Sequence, residues 1–178
     1  MPQPVNHDDS LQPHSPRVVV LMGVSGAGKT TIGQQLARKL GWDFCDGDDL
    51  HSGENIAKMA RGSPLTDDDR AGWLNRMRDS LGQWMRQGGH VVLAASLLRA
   101  THRTRVLAPW RSQILLVYLS ATPATLAQRL AQRPDHFMKE DMLAGQLAIL
   151  ETPDDAMVVD AAEPAESIVR KIQHAISA

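Results

Sequence analysis

A glycine-rich run near the start of the chain has the residue types and the spacing of a phosphate-binding loop. Residues 23–30 read Gly-Val-Ser-Gly-Ala-Gly-Lys-Thr and match G-x-x-x-x-G-K-[ST] between a predicted strand and a predicted helix. Glycines let successive backbone N–H groups face one concavity, and the positive end of the following helix completes an anion site. Lys29 is expected to bridge the β- and γ-phosphates, and the Thr30 hydroxyl to bind Mg²⁺. The predicted nucleotide-binding residues in this stretch are Gly23, Ser25, Gly26, Ala27, Gly28, Lys29, Thr30 and Thr31.

An acidic segment, Asp46-Gly47-Asp48-Asp49-Leu50-His51, follows the second predicted strand. In an open α/β sheet, ligands bind beyond the carboxyl ends of the strands. Carboxylates at that edge can hold Mg²⁺ through water or accept a proton from an attacking hydroxyl. Spacing alone also fits a solvated acidic turn, so both interpretations stay open at this point.

The elements that must position these residues alternate between strands and helices. Short apolar runs predict strands at Val18–Met22, Asp43–Cys45, Val91–Ala95, Gln113–Leu119 and Met157–Val159. Apolar residues at helical spacing predict a helix up to Leu40 that Gly41 ends, a second with its N-terminal cap at Thr66, and a third from Pro123 through Leu130. This alternation predicts an α/β fold with a mostly parallel five-stranded sheet flanked by helices.

Composition limits the class of protein. The 178 residues, 43% of them hydrophobic, suffice for one core, so residues 17–178 are predicted to form a single domain behind a disordered, proline-rich leader, residues 1–16. A formal net charge of −1 argues against a nucleic-acid coat. The apolar runs are too short to span a membrane, no secretory signal is present, and one cysteine forms no internal disulfide. We therefore expect a cytoplasmic protein that binds neither nucleic acid nor membrane.

The charges are unevenly distributed along this nearly neutral chain. Residues 43–69 carry eight acidic against two basic residues, whereas residues 99–139 carry seven basic against one acidic. The chain lacks an N-K-x-D guanine-reading motif, which argues against a GTPase. The size of the domain suits a small-molecule kinase better than a motor protein. The charge split suits an enzyme that handles a metal-bound polyphosphate and a small anion.

Longer motifs resemble one family. The run Asp46-Gly47-Asp48-x-Leu50-His51-x3-Asn55-x2-Lys58-Met59-x2-Gly62-x-Pro64-Leu65-x-Asp67-x-Asp69-Arg70-x2-Trp73-Leu74 closely resembles the signature of the gluconokinases, which are P-loop gluconate kinases. The similarity continues in Arg129-x3-Arg133-x2-His136-Phe137-Met138, in Met142-Leu143 and in Gln146-Leu147-x2-Leu150-Glu151-x-Pro153. It extends over nearly the whole chain from Val18 onward.

The resemblance implies a P-loop NTPase fold of the nucleoside-monophosphate-kinase type with a small lid at about residues 131–140. It implies ATP-dependent phosphorylation of D-gluconate at the 6-hydroxyl, with Mg²⁺ as cofactor, by a homodimer. Asp48 would act as the base, Asp46 would support Mg²⁺, and Lys29 and Arg133 would complete the catalytic set. Arg129 would bind the nucleotide. The acceptor would be bound by Asp48, His51, Lys58, Arg70, Arg99 and His136.

The two lid-side arginines fit this interpretation physically. Arg129 and Arg133 are four residues apart and share one face if the helix continues that far. From there they could neutralise charge on the transferred phosphoryl group, although spacing alone also fits an ordinary charged helix face. Pro134 is predicted to end that helix and begin a mobile flap.

The segment after the third strand departs from the family pattern. Where the family typically has Lys, Tyr and Asp, this chain has Arg99, His102 and Thr104, and Gly145 and Ser52 replace a serine and a proline. Arginine keeps the charge of lysine but changes its hydrogen-bond geometry. Two alternatives therefore remain: a related kinase for another hydroxy acid, such as shikimate or a different aldonate, and a nucleotide-binding module without turnover.

Overall fold

The computed structural model of the protein describes residues 15–132 and 140–178. The strands are β1 (Val18–Met22), β2 (Asp43–Asp46), β3 (Val91–Ala94), β4 (Ile114–Ser120) and β5 (Met157–Asp160). The α-helices are α1 (Lys29–Leu40), α2 (Gly53–Ala60), α3 (Asp67–Gln87), α4 (Ala100–Leu107), α5 (Pro123–Ala131), α6 (Glu140–Ile149) and α7 (Ala165–Ser177). Two 3-10 helices, Gly47–Leu50 and Ala108–Gln113, lie between them.

The described strands form one parallel sheet in the order β2-β3-β1-β4-β5. The predicted five strands and parallel sheet are therefore confirmed, with ends that differ by one residue. Because the strands are parallel, their carboxyl ends lie at the same edge of the sheet, so the loops after β1, β2 and β3 meet there. The glycine-rich loop and the acidic segment both lie there.

Each face of the sheet has its own core because side chains alternate along a strand. Val19 and Leu21 of β1 pack on one face with apolar residues of α1, α5 and α7. Val18, Val20 and Met22 pack on the other face with α3 and α4. The α3 residues Trp73, Met77 and Leu81, which recur every four positions, are buried in this second core.

Capping residues define the helix boundaries. Thr66 and Asp69 form the predicted capping box at the start of α3, and Gly41 ends α1 in the left-handed conformation. The helix α5 runs from Pro123 to Ala131, one residue beyond its predicted end at Leu130. Arg133 and Pro134 lie outside the described residues, so whether Arg133 shares a face with Arg129 stays a prediction. The predicted lid lies mostly outside the described residues, as do nearly all residues of the predicted leader.

Candidate active site

The phosphate loop runs from the end of β1 to the start of α1. Gly23 adopts φ 147°, and a Cβ atom there would lie 2.8 Å from the carbonyl oxygen of Leu119. Gly28, at φ 94°, is the cap from which Lys29 begins the helix. Both positions therefore require glycine, since a side chain would strain the backbone or collide with β4. The first turn of α1, which includes Thr30 and Thr31, places its N–H groups at the loop.

Lys29 lies across this loop. Its ammonium donates hydrogen bonds to the carbonyl oxygens of Gly23, at 2.9 Å, and of Val24, at 3.1 Å. The N–H of Ala27 donates to the same Val24 oxygen at 3.2 Å. The loop therefore holds a positive charge at its mouth, where a nucleotide's phosphates would approach.

Thr30 and Asp46 join the phosphate loop to the acidic segment. The Thr30 hydroxyl donates to Oδ2 of Asp46 at 2.7 Å, and Oδ1 of Asp46 accepts from the N–H of Asp48 at 3.1 Å. A hydroxyl and a carboxylate side by side are oxygen ligands of the kind that Mg²⁺ takes in phosphate-handling sites, usually with waters and phosphates completing the octahedron. Within the described residues no cluster of three or more His, Cys, Asp and Glu side chains could hold a metal alone. The residues present fit a magnesium ion that arrives with a nucleotide.

Asp48 lies on the 3-10 helix Gly47–Leu50, which a tryptophan holds in place. The indole Nε1 of Trp73 donates to the carbonyl oxygen of Gly47 at 2.6 Å, and both residues are buried. A Cβ atom on Gly47 would lie 2.9 Å from the carbonyl oxygen of Ala94, so this helix packs directly against the end of β3. The position of Asp48 is thus set by the core rather than by a solvated turn, which favours the functional interpretation of this segment.

His51 follows the same 3-10 helix and stacks on Trp73. The ring centroids are 4.6 Å apart with an angle of 11° between the ring planes. Burial, followed by the charges of Arg76 and Arg70, lowers the pKa of His51 from 6.5 to about 4. Asn55 Nδ2 lies 3.4 Å from His51 Nδ1, and an amide nitrogen can only donate. Near neutral pH the ring is therefore uncharged with its proton on Nε2.

Lys58 is held by Asp69. The two side chains form an ion pair at 2.6 Å, and the same Asp69 oxygen accepts from the backbone N–H and the hydroxyl of Thr66. Hydrogen bonds from Lys58 and Thr66 lower the pKa of Asp69 to about 2. In this structure Lys58 thus links α2 to the start of α3.

Arg70 and Arg99 converge on one carboxylate, that of Asp67. The Arg70 guanidinium lies 3.6 Å from it and the Arg99 guanidinium 3.3 Å. Each contact uses one terminal guanidinium nitrogen, Nη1, so each guanidinium keeps further N–H donors. The two predicted acceptor-binding cations are brought together from α3 and from the loop after β3. The sequence analysis quoted Asp67 within the family motif without a role and missed this bridge.

The side chain of Arg103 stabilises the loop after β3, residues 95–99, through hydrogen bonds to its backbone. Its guanidinium Nη1 donates to the carbonyl oxygens of Leu97 and Leu98, at 3.1 and 3.0 Å. Leu97 has φ 41°, a left-handed conformation that is strained for a leucine. His102 is buried beside this loop, and burial followed by the charge of Arg70 lowers its pKa. Two residues that depart from the family pattern, Arg99 and His102, therefore lie close to Arg70.

Arg129 links the phosphate loop to the loop after β5. It donates to the carbonyl oxygen of Ala161 at 2.6 Å and to that of Gly26 at 3.4 Å. Arg129 therefore lies beside the phosphate loop, and its nucleotide-binding role stays a prediction. The other two predicted residues of this region, Arg133 and His136, lie outside the described residues.

The comparisons with known proteins agree with this geometry. A family model described as an AAA domain matches residues 18–153. The chain is 44% identical over 140 residues to a gluconokinase of Gluconobacter oxydans (strain 621H), covering 79% of this chain and 78% of that protein. It is 43% identical over 155 residues to a probable gluconokinase of Mus musculus, covering 78% and 84%. The chain belongs to the gluconokinase family. A crystal structure of a gluconokinase from Sinorhizobium meliloti 1021 superposes with a TM-score of 0.80 at 36% identity, covering 92% of this chain and 93% of the other.

Membership of the gluconokinase family confirms the resemblance and the P-loop kinase fold predicted from the motifs. It identifies the protein as a kinase of the phosphotransferase class. No described helix is both long and apolar enough to cross a bilayer. The residues that sequence reasoning missed are Asp67, the indole nitrogen of Trp73, and Gln146 and Glu151, which it quoted in a motif without a role. Their roles depend on contacts between distant segments, for which no local signal exists.

Proposed function

We propose that this protein transfers the γ-phosphoryl group of ATP to the 6-hydroxyl of D-gluconate, giving 6-phosphogluconate and ADP. The observation that carries the proposal is the hydrogen-bonded unit of Thr30, Asp46 and Asp48 beside Lys29. It joins a phosphate-binding loop to a carboxylate that can act on a hydroxyl. Family membership supplies the acceptor.

In the proposed reaction each residue has one task. Lys29 and the N–H groups of the loop bind the β- and γ-phosphates, and Arg129 holds the loop at Gly26. Asp48 takes the proton of the 6-hydroxyl while the oxygen of that hydroxyl forms a bond to the γ-phosphorus. The bond from that phosphorus to the β–γ bridging oxygen breaks, and ADP leaves. Mg²⁺, when bound at Thr30 and Asp46, neutralises charge on the phosphate oxygens. Arg133 is proposed to stabilise the transferred phosphoryl group.

The acceptor's carboxylate is proposed to bind at the two arginines that meet at Asp67. Arg70 and Arg99 each keep donors beyond their contact with that carboxylate, and an arginine fork matches a carboxylate in two parallel hydrogen bonds. His51, Lys58 and His136 are proposed to contact acceptor hydroxyls. Because His51 is neutral near pH 7 and carries its proton on Nε2, that nitrogen can donate such a bond.

A coupled assay of ADP release over a panel of acceptors tests the proposal. Gluconate should give turnover, and glucose, which lacks the carboxylate, should give far less. Arg70→Met should raise the KM for gluconate by about tenfold or more and leave that for ATP within about twofold, since a charged hydrogen-bonded pair contributes about 1.5–3 kcal/mol. Arg78→Met, an exposed arginine on the same helix, is the matched control. ATP binding without turnover on any acid of the panel would contradict the proposal.

A different aldonate is the second candidate acceptor. The ion pair of Arg99 with Asp67 supports it, because arginine replaces the family's usual lysine there and positions its donors differently. Turnover of another aldonate or of shikimate, with gluconate inactive, would favour this candidate.

The proposal includes a homodimer and a cytoplasmic location. The dimer rests on the family resemblance, and light scattering of the purified protein tests it. The location is supported by the single cysteine, Cys45, which can form no disulfide within the chain. Cell fractionation tests the location.

A further inference from the structure

Gln146, on α6, is hydrogen-bonded to the phosphate loop through both ends of its amide. Its Oε1 accepts from the backbone N–H of Ser25 at 2.7 Å, and its Nε2 lies 3.1 Å from the Ser25 hydroxyl oxygen, to which it donates. A backbone N–H can only donate, so the amide orientation is fixed. These contacts join residues 121 positions apart in the chain.

The peptide unit that Gln146 binds is also the one that holds Lys29. The N–H of Ser25 and the carbonyl of Val24 belong to the same planar peptide and point in opposite directions. That carbonyl accepts from the Lys29 ammonium at 3.1 Å and from the N–H of Ala27 at 3.2 Å. By fixing the N–H, Gln146 therefore fixes the direction of an oxygen that positions Lys29.

Five residues after Gln146, the same segment reaches the acceptor side. The N–H of Glu151 donates to the carbonyl oxygen of Leu98 at 2.9 Å, and its Oε2 accepts from the N–H of Ala100 at 2.8 Å. Ala100 is the first residue of α4, where a carboxylate is stabilised by the helix dipole. The two contacts flank Arg99, one of the cations that meet at Asp67.

We propose that residues 146–151, here called the bridge segment, couple the phosphate loop to the acceptor loop, with Gln146 and Glu151 as positioning residues. Gln146 acts on the nucleotide through the Val24–Ser25 peptide and Lys29. Glu151 acts on the acceptor through the backbone on either side of Arg99. The inference rests on the proposed function for the identity of the acceptor only.

The nucleotide half of the proposal is tested without any acceptor. Gln146→Met should weaken binding of a non-hydrolysable ATP analogue by about tenfold, the effect of losing two neutral hydrogen bonds. Gln83→Met, an exposed glutamine on α3, is the matched control and should bind the analogue as the wild type does. In a Lys29→Met background the Gln146 substitution should have little further effect, since it acts through Lys29. Additive effects of the two substitutions would overturn the proposal.

The coupling itself is measured as a ratio of affinities. The dissociation constant of gluconate is determined with and without the ATP analogue, and the analogue should tighten gluconate binding in the wild type. The coupling factor, which is the ratio of the gluconate dissociation constants without and with the analogue, should fall toward one in Gln146→Met and in Glu151→Ala. Glu166 is an exposed glutamate on α7, and Glu166→Ala should keep the wild-type factor. Thermal unfolding checks that the variants fold, and a role in stability alone would lower the midpoint but leave the factor unchanged, which would overturn the proposal.

These experiments distinguish a failure of the proposed function from a failure of the bridge-segment proposal. If gluconate does not bind, the proposed acceptor is wrong, and the ratio is measured with whichever acid stimulates ADP release. The nucleotide experiment with Gln146 and Lys29 needs no acceptor, so its result stands in either case. A wild-type factor of one for a true acceptor would overturn the bridge proposal alone.

Discussion

Replacing Trp73 with phenylalanine should reduce both stability and turnover, because its indole nitrogen donates to the buried carbonyl oxygen of Gly47 at 2.6 Å. Phenylalanine leaves that oxygen without its partner, which costs about 1–3 kcal/mol, and the smaller ring leaves a void worth about 1 kcal/mol. The free energy of unfolding should fall by about 2–4 kcal/mol. At about 2–4 °C for each kcal/mol in a chain of this length, the melting midpoint should fall by about 5–15 °C.

The effect on turnover follows from the position of Gly47, directly before Asp48 on the 3-10 helix. A helix that loses this anchor holds the carboxylate less firmly, so kcat should fall at temperatures where the variant remains folded. Urea unfolding and initial rates at 20 °C measure the two effects separately. Trp84→Phe is the matched control, since Trp84 is half-buried on the same helix and its indole nitrogen has no hydrogen-bond partner among the described residues. Equal loss of stability in both variants, or an unchanged kcat for Trp73→Phe, would refute the reasoning.

Three further predictions concern single groups. Asp48→Asn should lower kcat by about 10²–10⁴ in the coupled assay, the range for loss of a general base, with the KM for ATP nearly unchanged; near-normal kcat would remove Asp48 as the base. Lys29→Ala should lose phosphate positioning, and a variant that turns over like the wild type would contradict the assignment of the loop. Because burial lowers the pKa of His51 from 6.5 to about 4, the unfolded chain binds more protons between these pH values. The free energy of unfolding, measured by urea titration, should therefore fall as the pH is lowered from 6.5 to 4. His51→Gln should make this pH dependence weaker. An unchanged pH dependence in the variant would show that a group other than His51 causes it.

The predictions that succeeded rest on residues that are close together in the sequence. The phosphate loop was predictable because glycine, lysine and threonine at fixed spacing between a strand and a helix constitute a complete local signal. The capping box of Thr66 and Asp69 was predictable for the same reason. The extent of α5 was predicted to within one residue, because Thr122 followed by Pro123 is a local signal for the start of a helix.

By itself, the sequence determined the elements, the parallel sheet and the residue types available for chemistry. Apolar periodicity and turn residues are properties of neighbouring positions, so they require no knowledge of the fold. The tertiary structure decided which of these residues meet. The bridge from Gln146 to Ser25 spans 121 positions, and Asp67 reaches Arg99 across 32. Such contacts depend on how helices pack on the sheet, and a single sequence contains no direct record of that packing.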